Sequence, residues 1–252
     1  MVGIRNSYEK KLIRASGLIA AKALKRSLEI IKVGVTGLEV DEAVKRTIFK
    51  LGGDLSYKTV PGYKWATCIT VNDKVVHGIP TDRKFVIGDL VSVDLAVVYK
   101  GWHTDCAWSV LVGHDPEKQK FLQAGEQALW DGIKQVVAGN RVGDISSAIQ
   151  SRIENAGYQV VRSLVGHGVG RSLHEDPEIP GFGKARTGMP LKSGMSLAIE
   201  VIYAQGSSEV VLGDDGWTYQ TVDGSWGSIF EMTAIVGREK AEILTDWRPI
   251  VG

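Results

Sequence analysis

The sequence predicts an α/β (α+β) fold of two similar halves, each with an antiparallel sheet covered by helices on one side. One observation is a helix-then-strand order that occurs twice along the chain. Another is that residues 87–99 align with residues 193–205 at an offset of 106, which places Asp94 over Glu200. Because weaker matches at offsets of 105 and 97 keep the same order, we interpret the chain as one domain (1–252) with duplicated halves of roughly 1–112 and 113–252.

Two helices are predicted at the start of the first half. Residues 8–32 carry apolar side chains at helical spacing. A second helix is expected after Thr36, which forms a capping box with Glu39, and Gly52–Gly53 is expected to end it. The apolar face of this second helix consists of Val40, Val44, Ile48 and Leu51.

Strands are predicted to follow these helices, and the order then repeats. Residues 66–112 contain four segments rich in β-branched residues, which is typical of strands. Residues 116–138 and 144–156 have a helical pattern, and residues 160–236 return to the alternation of strands.

The composition favours a soluble cytoplasmic protein. The 30 basic and 29 acidic residues give a net charge of +1, which offers no electrostatic reason to expect a nucleic acid or a membrane as partner. The two cysteines, Cys68 and Cys106, are too few for a disulfide framework and are expected to be free thiols. The first residues lack the pattern of a secretory signal, and no run of about 18 uncharged apolar residues is present.

Three predicted strands each contain one acidic residue in an otherwise apolar segment. Asp94, Glu200 and Glu231 lie in VSVDLAVVY, SLAIEVIYA and SIFEMTAIV, none of which contains a lysine or arginine. An unpaired buried carboxylate costs several kcal/mol. Each acid could pair with a basic residue from elsewhere in the fold, but three such acids, two of them matched by the repeat, favour a shared divalent metal.

Two further residues are candidates for the same site. Asp105 follows Asp94 by eleven residues, so a turn at residues 99–101 would bring the two together, although an Asp near a turn is often only solvated. His167 lies among three glycines, which permits close backbone approach around a ligand, although a structural role is the alternative. Five ligands dominated by carboxylates differ from a structural zinc site and suit two ions of Mn, Fe or Co about 3.5 Å apart.

The other histidines fall into two groups. His77 and His174 are matched by the repeat and are expected to face each other across the centre of the molecule, where they could form hydrogen bonds with one substrate. His103 and His114 are expected to be loop or surface residues, and we assign them no role.

These motifs together resemble those of a known family. HGIP at residues 77–80, the Asp94/Asp105 pair, GHGVGRSLHEDP at 166–177, and the glutamates in AIE and FE are similar to type I methionine aminopeptidase of the pita-bread fold, over about residues 5–240. Glu200 lies only 26 positions after His174, which leaves no room for the insertion of type II enzymes. No additional N-terminal domain of the prolidase kind is expected.

The resemblance implies a role for each matched residue. Asp94 would chelate one metal, His167 and Glu200 the other, and Asp105 and Glu231 would bridge both. His174 would hydrogen-bond the oxyanion, His77 would approach the scissile nitrogen, and Glu200 would carry the proton. The side-chain pocket for methionine would be lined by Tyr63, Cys68 and Trp217, unless these three are ordinary core residues.

The expected function is removal of the initiator methionine from nascent chains when the second residue is small, by a monomer that contacts the ribosome at most transiently. Thr104, Leu173 and Met232 depart from the family pattern. Leu173 and the altered neighbourhood of Glu231 at Met232 motivate an alternative, a broader or proline-directed aminopeptidase. A third hypothesis is a non-catalytic binding protein of the same fold, whose known examples lose metal ligands.

Overall fold

The computed structural model describes residues 3–250 and contains four α-helices, one 3₁₀-helix and thirteen strands within that range. The α-helices are α1 (Ser7–Ile30), α2 (Gly37–Lys50), α3 (Pro116–Lys134) and α4 (Val142–Asn155), and the 3₁₀-helix covers Ser56–Thr59. The strands are β1 (Asp54–Leu55), β2 (Thr67–Val71), β3 (Lys74–Val76), β4 (Leu90–Tyr99), β5 (Trp102–Leu111), β6 (Gln159–Val160), β7 (Val165–Gly168), β8 (Glu175–Pro180), β9 (Ser196–Ala204), β10 (Val210–Leu212), β11 (Tyr219–Thr221), β12 (Gly227–Ile235) and β13 (Glu242–Ile243).

The helices begin where the sequence supplies caps. Helix α2 has the predicted capping box: the Thr36 hydroxyl accepts a hydrogen bond from the Glu39 amide at 3.2 Å, and the Glu39 carboxylate accepts one from the Thr36 amide at 2.8 Å. Helix α1 has a second capping box, formed by Asn6 and Glu9. Both arrangements satisfy amides that the first turn of a helix leaves free. Helix α2 ends as expected before Gly52, whose φ is +80°.

One large antiparallel sheet contains every ligand candidate. Its strand order is β1-β4-β5-β12-β9-β7-β8, with β2 paired to β4, β6 to β9 and β13 to β12. Strands β10, β11 and β3 form a separate three-stranded sheet. Strand β12 lies between β5 and β9, so the sheet continues from the first part of the chain into the second without interruption.

The β4–β5 hairpin brings Asp105 back beside Asp94, as predicted. Tyr99 pairs with Trp102, and the two turn residues, Lys100 and Gly101, have φ values of +50° and +76°. Positive φ at both central positions is the geometry of a tight hairpin turn. In this register Asp105 lies opposite Ala96, two residues along β4 from Asp94 and on the same face of the sheet.

The helices cover one face of the sheet, and the main core lies between the two layers. Helices α1 and α2 pack together and α1 lies on β4 and β5, while α3 and α4 pack together and α3 lies on β9 and β12. This arrangement agrees with the expected α/β class and one-sided helical cover. The division of the chain into two duplicated halves near residue 112 stays a prediction. Between residues 3 and 250, no helix combines the length and hydrophobicity that spanning a membrane requires.

Candidate metal centre

Strand register aligns the acidic residues across the sheet. Glu231 in β12 pairs directly with Glu200 in β9. On its other side Glu231 pairs with Ala107 in β5, and Ala107 in turn pairs with Asp94 in β4. Asp105 lies two residues before Ala107 on the same face. The four carboxylates therefore share one face across four strands.

His167 joins this group from β7, where it pairs with Ala198 of β9. Its Nδ1 donates a hydrogen bond to the Gly168 carbonyl at 2.8 Å, which leaves Nε2 as the atom with a free lone pair. Nε2 lies 3.4 Å from Glu200 Oε1 and 4.0 Å from Asp105 Oδ2. Burial, followed by the nearby His174, lowers the pKa of His167 to about 4, so the imidazole is neutral and forms no ion pair with these acids.

Burial raises the pKa of all four carboxylates, and repulsion between carboxylates raises the pKa of three of them further. Burial raises the pKa of Asp94 to about 6. Burial is also the main reason that the pKa of Asp105, Glu200 and Glu231 lies well above its usual range, and in each case repulsion from neighbouring carboxylates adds to it. Within the part of the chain that the structure describes, no lysine or arginine forms an ion pair with any of the four. The alternative in which each acid has its own basic partner is therefore wrong for residues 3–250.

The cluster fits a divalent cation. One ligand atom from each of Asp105, His167 and Glu231 lies within 4.8 Å of the others. Glu231 is 2% exposed, and its Oε1 is buried without a hydrogen-bond partner. A neutral imidazole lone pair directed at several buried carboxylates is unfavourable unless a cation lies between them. These donors are the oxygen-rich set with one imidazole that the sequence predicts.

A cavity of about 210 Å³ opens beside the cluster. Its polar end is formed by the four carboxylates and His167, and its other end is apolar. The three residues that the sequence assigns to a side-chain pocket, Tyr63, Cys68 and Trp217, all line the apolar end, and Leu173 lies with them. The rings of Tyr63 and Trp217 meet edge to face with centroids 5.1 Å apart. Their roles stay predictions, but the structure brings them together.

His77 and His174 line the same cavity, as the sequence leads us to expect. The His174 ring lies 4.5 Å from the His167 ring, centroid to centroid. Burial lowers the pKa of both His77 and His174, so both are neutral at pH 7 and each carries one N–H donor. His77 has a φ of +58°, a backbone conformation that non-glycine residues rarely adopt.

The expectation for His103 is wrong, whereas His114 is exposed as expected. His103 is 6% exposed in β5, and its Nδ1 lies 2.7 Å from the Ser56 hydroxyl. Its amide donates to the Gly170 carbonyl at 2.7 Å. The turn at Lys100–Gly101 is so short that the strand begins before His103, and the side chain is enclosed.

Two residues beside the site have no signal in the sequence pattern. Tyr57 lies on the 3₁₀-helix and donates a hydrogen bond from its hydroxyl to Asp94 Oδ1 at 2.6 Å. Arg5 precedes α1 and forms an ion pair with Glu175, which follows His174. A buried hydroxyl or guanidinium needs a hydrogen-bond partner, but this general rule does not say which residue the partner is.

Two of the three departures from the family pattern face away from the cavity. Thr104 and Met232 are fully buried and alternate with Asp105 and Glu231, so they point to the helical side of the sheet. The Thr104 hydroxyl lies 3.0 Å from that of Ser16 in α1. Leu173 alone of the three lines the cavity.

Comparison with known proteins agrees with this geometry. The profile of metallopeptidase family M24 matches residues 11–236. The methionine aminopeptidase of Clostridium perfringens is 39% identical over 246 residues, which cover 97% of this chain and 99% of that protein. The chain belongs to metallopeptidase family M24. Methionine aminopeptidase 1 of Bacillus subtilis is 38% identical with the same coverage of both chains.

A solved structure extends the agreement to the fold. The crystal structure of methionine aminopeptidase from Thermotoga maritima matches with a TM-score of 0.95 and 41% identity, covering 97% of this chain and 99% of that one. Two predictions are thus confirmed: the resemblance to type I methionine aminopeptidase and the pita-bread fold. As a member of this M24 group, the chain is a metal-dependent hydrolase that uses divalent ions.

Proposed function

We propose that this protein removes the N-terminal methionine from nascent polypeptides whose second residue is small. The observation that carries the proposal is a cavity with a cluster of carboxylates and one imidazole at one end and an apolar pocket lined by Tyr63, Cys68 and Trp217 at the other. A methionine side chain in the pocket would bring its own carbonyl to the cluster.

The proposed centre holds two divalent ions. Asp94 would bind one ion, His167 and Glu200 the other, and Asp105 and Glu231 both. When bound, such ions would lower the pKa of a water molecule and polarise the substrate carbonyl. An oxygen-rich ligand set with one imidazole suits Co, Mn or Fe better than a structural zinc ion.

The remaining chemistry belongs to residues of the cavity. His174 would donate a hydrogen bond to the carbonyl oxygen as negative charge develops there. His77 would contact the scissile amide nitrogen, and Glu200 would carry the proton to the leaving amine. Because the pKa of both histidines is lowered by burial, they would act as neutral hydrogen-bonding groups at pH 7.

The pocket suits an apolar, polarisable side chain. The Tyr63 hydroxyl donates to the Thr67 carbonyl at 2.8 Å, so the tyrosine offers its ring to a ligand. The thiol of Cys68 is buried and its pKa is raised by burial, so it is present as a neutral soft group. A thioether packs favourably against aromatic rings and sulfur. Leu173 completes this wall and is the residue that favours the second candidate, a broader or proline-directed aminopeptidase.

The test is release of methionine from a Met-Ala-Ser peptide. We expect release with Mn or Co, loss of release with a chelator, and recovery when the metal is restored. Glu231→Gln is expected to abolish turnover, whereas Glu239→Gln, the same change at an exposed position, is expected to retain it. Failure to release methionine at any metal concentration would refute the proposal. Preference for Leu-Ala-Ser or an X-Pro peptide would support the second candidate.

A non-catalytic binding protein would be indicated by absence of bound metal after reconstitution and dialysis.

We further propose that the protein acts as a monomer in the cytoplasm, with only transient ribosome contact and no nucleic-acid or membrane partner. All five proposed ligands come from one chain, so a single copy suffices. Light scattering of the purified protein would check the oligomeric state, and co-sedimentation with ribosomes at low and high salt would check the contact.

A further inference from the structure

Tyr57 makes a direct contact with one proposed metal ligand and is not itself a ligand candidate. Its hydroxyl donates to Asp94 Oδ1 at 2.6 Å. The residue is 7% exposed, and its ring meets that of Tyr63 edge to face with centroids 5.5 Å apart. Packing therefore fixes the ring, and the ring fixes the direction of the hydroxyl.

The hydrogen bond determines how Asp94 presents its two oxygens. Asp94 has no basic partner among residues 3–250, so the Tyr57 hydroxyl is the donor that holds one oxygen of the carboxylate. The same carboxylate lies beside that of Asp105 on the neighbouring strand. A rotation of the Asp94 side chain would break this bond and leave a buried hydroxyl without a partner, which costs about 1–3 kcal/mol.

The 3₁₀-helix that carries Tyr57 also holds the neighbouring strand. Ser56 precedes Tyr57, and its hydroxyl lies 2.7 Å from Nδ1 of His103 in β5. His103 is two residues from Asp105. One short helix thus contacts β4 through Tyr57 and β5 through Ser56, at the end of the cluster where Asp94 and Asp105 lie.

We propose that Tyr57 is a positioning residue that orients Asp94 and thereby sets the affinity of the ion held by Asp94, without affecting the ion held by His167. The inference rests on the proposed two-ion function. The asymmetry follows from the hydrogen bonds: the Tyr57 hydroxyl donates to Asp94, which the proposal assigns to one ion only, and not to His167 or Glu200, which it assigns to the other. Groups that orient a metal ligand through a hydrogen bond change metal affinity by about 10–100-fold when they are removed.

The decisive measurement is calorimetric titration of Mn²⁺ into metal-free protein. Wild type is expected to bind two ions. Tyr57→Phe keeps the ring and removes the hydroxyl, so we expect the affinity for one ion to fall about 10-fold or more while the other is unchanged. Tyr203→Phe is the matched control, because Tyr203 is also buried and its hydroxyl donates to a backbone carbonyl, that of Phe121, at 2.7 Å. It is expected to bind both ions as wild type does.

A second readout separates positioning from damage to the pocket. At saturating Mn²⁺, Tyr57→Phe is expected to keep the wild-type KM for a methionyl peptide, while the Mn²⁺ concentration for half-maximal activity rises. If Tyr57→Phe binds both Mn²⁺ ions with wild-type affinity, or loses affinity for both ions equally, the inference is overturned and the proposed function is left intact. Wild type that binds fewer than two ions would overturn both the inference and the two-ion function.

Discussion

Arg5, which is buried, forms an ion pair with the partly exposed Glu175, and this pair joins the segment before α1 to the residue after His174. The Arg5 guanidinium also donates to the Ser196 hydroxyl at 2.9 Å and to the Val169 carbonyl at 3.1 Å. The loop between β7 and β8, which ends in His174, is therefore held from a distant part of the chain.

Arg5→Ala is expected to destabilise the protein strongly. The side chains of Arg5 and Glu175 are 7% and 18% exposed, and removing one partner of a largely buried pair costs up to about 3–5 kcal/mol. Arg14→Ala is the control, because Arg14 pairs with Glu242 and both side chains are more than 40% exposed. Its cost is expected to be at most about 1 kcal/mol. Urea unfolding measures both, and equal costs would contradict the prediction.

Gly125→Ala is expected to destabilise the protein although alanine is the better helix former. A Cβ atom at Gly125 in α3 would lie 2.4 Å from the Tyr203 hydroxyl oxygen. The overpacking cost of about 1–3 kcal/mol exceeds the gain in helix propensity of about 1 kcal/mol. A Cβ atom at Gly132 in the same helix would lie 2.9 Å from Cγ1 and 3.0 Å from Cδ1 of Ile149, which is a less severe approach to an aliphatic side chain, so Gly132→Ala should cost less. Thermal unfolding would rank the two variants, and the reverse order would refute this account.

Glu231→Gln is expected to stabilise the metal-free protein at pH 8. Burial, then Asp105 and Glu200, raise the pKa of Glu231 in the folded state above its unfolded value near 4.5. Such an acid destabilises the folded state increasingly as pH rises from 4.5 through the folded-state pKa. The stabilising effect of Gln should therefore be larger at pH 8 than at pH 5. Urea unfolding of wild type and Glu231→Gln with a chelator at pH 5 and pH 8 tests this prediction. A difference in free energy of unfolding that does not change with pH would contradict it.

Trp217→Ala is expected to impair substrate binding more than folding. Trp217 is only half-buried and forms one wall of the cavity with Tyr63. Loss of this wall should lower kcat/KM for a methionyl peptide by about 10-fold or more, since removal of apolar contacts in a pocket has effects of this size. Trp226→Ala is the control: Trp226 is half-buried against the core and outside the cavity, so it should lose stability and keep its KM. Equal effects on KM would count against the pocket.

The strands and the acidic cluster could be predicted because their signals are local. Alternation places each acid on one face of its strand, and a two-residue turn after Tyr99 determines that Asp105 returns beside Asp94. The pairing of Glu200 with Glu231 depends on which strands become neighbours, and only the family resemblance, which implies that both residues bind metal, indicates that they lie close together.

The contacts around the cluster could not be predicted because they join distant segments through single side chains. Tyr57 lies 37 positions from Asp94, and Arg5 lies 170 positions from Glu175. No sequence periodicity relates such residues, since each contact depends on how the 3₁₀-helix, or the segment before α1, packs against the sheet. The enclosure of His103 likewise depends on Ser56 and the β7–β8 loop, which pattern analysis treats separately.

The central position of β12 has a consequence for the order of events during synthesis. This strand, Gly227–Ile235, lies between β5 and β9 and supplies Glu231, yet it is translated after every helix and eleven of the other strands. The ribosome must release almost the whole polypeptide before the last ligand can join the others. A newly made copy therefore brings its five proposed ligands together only after almost the whole chain has been synthesised.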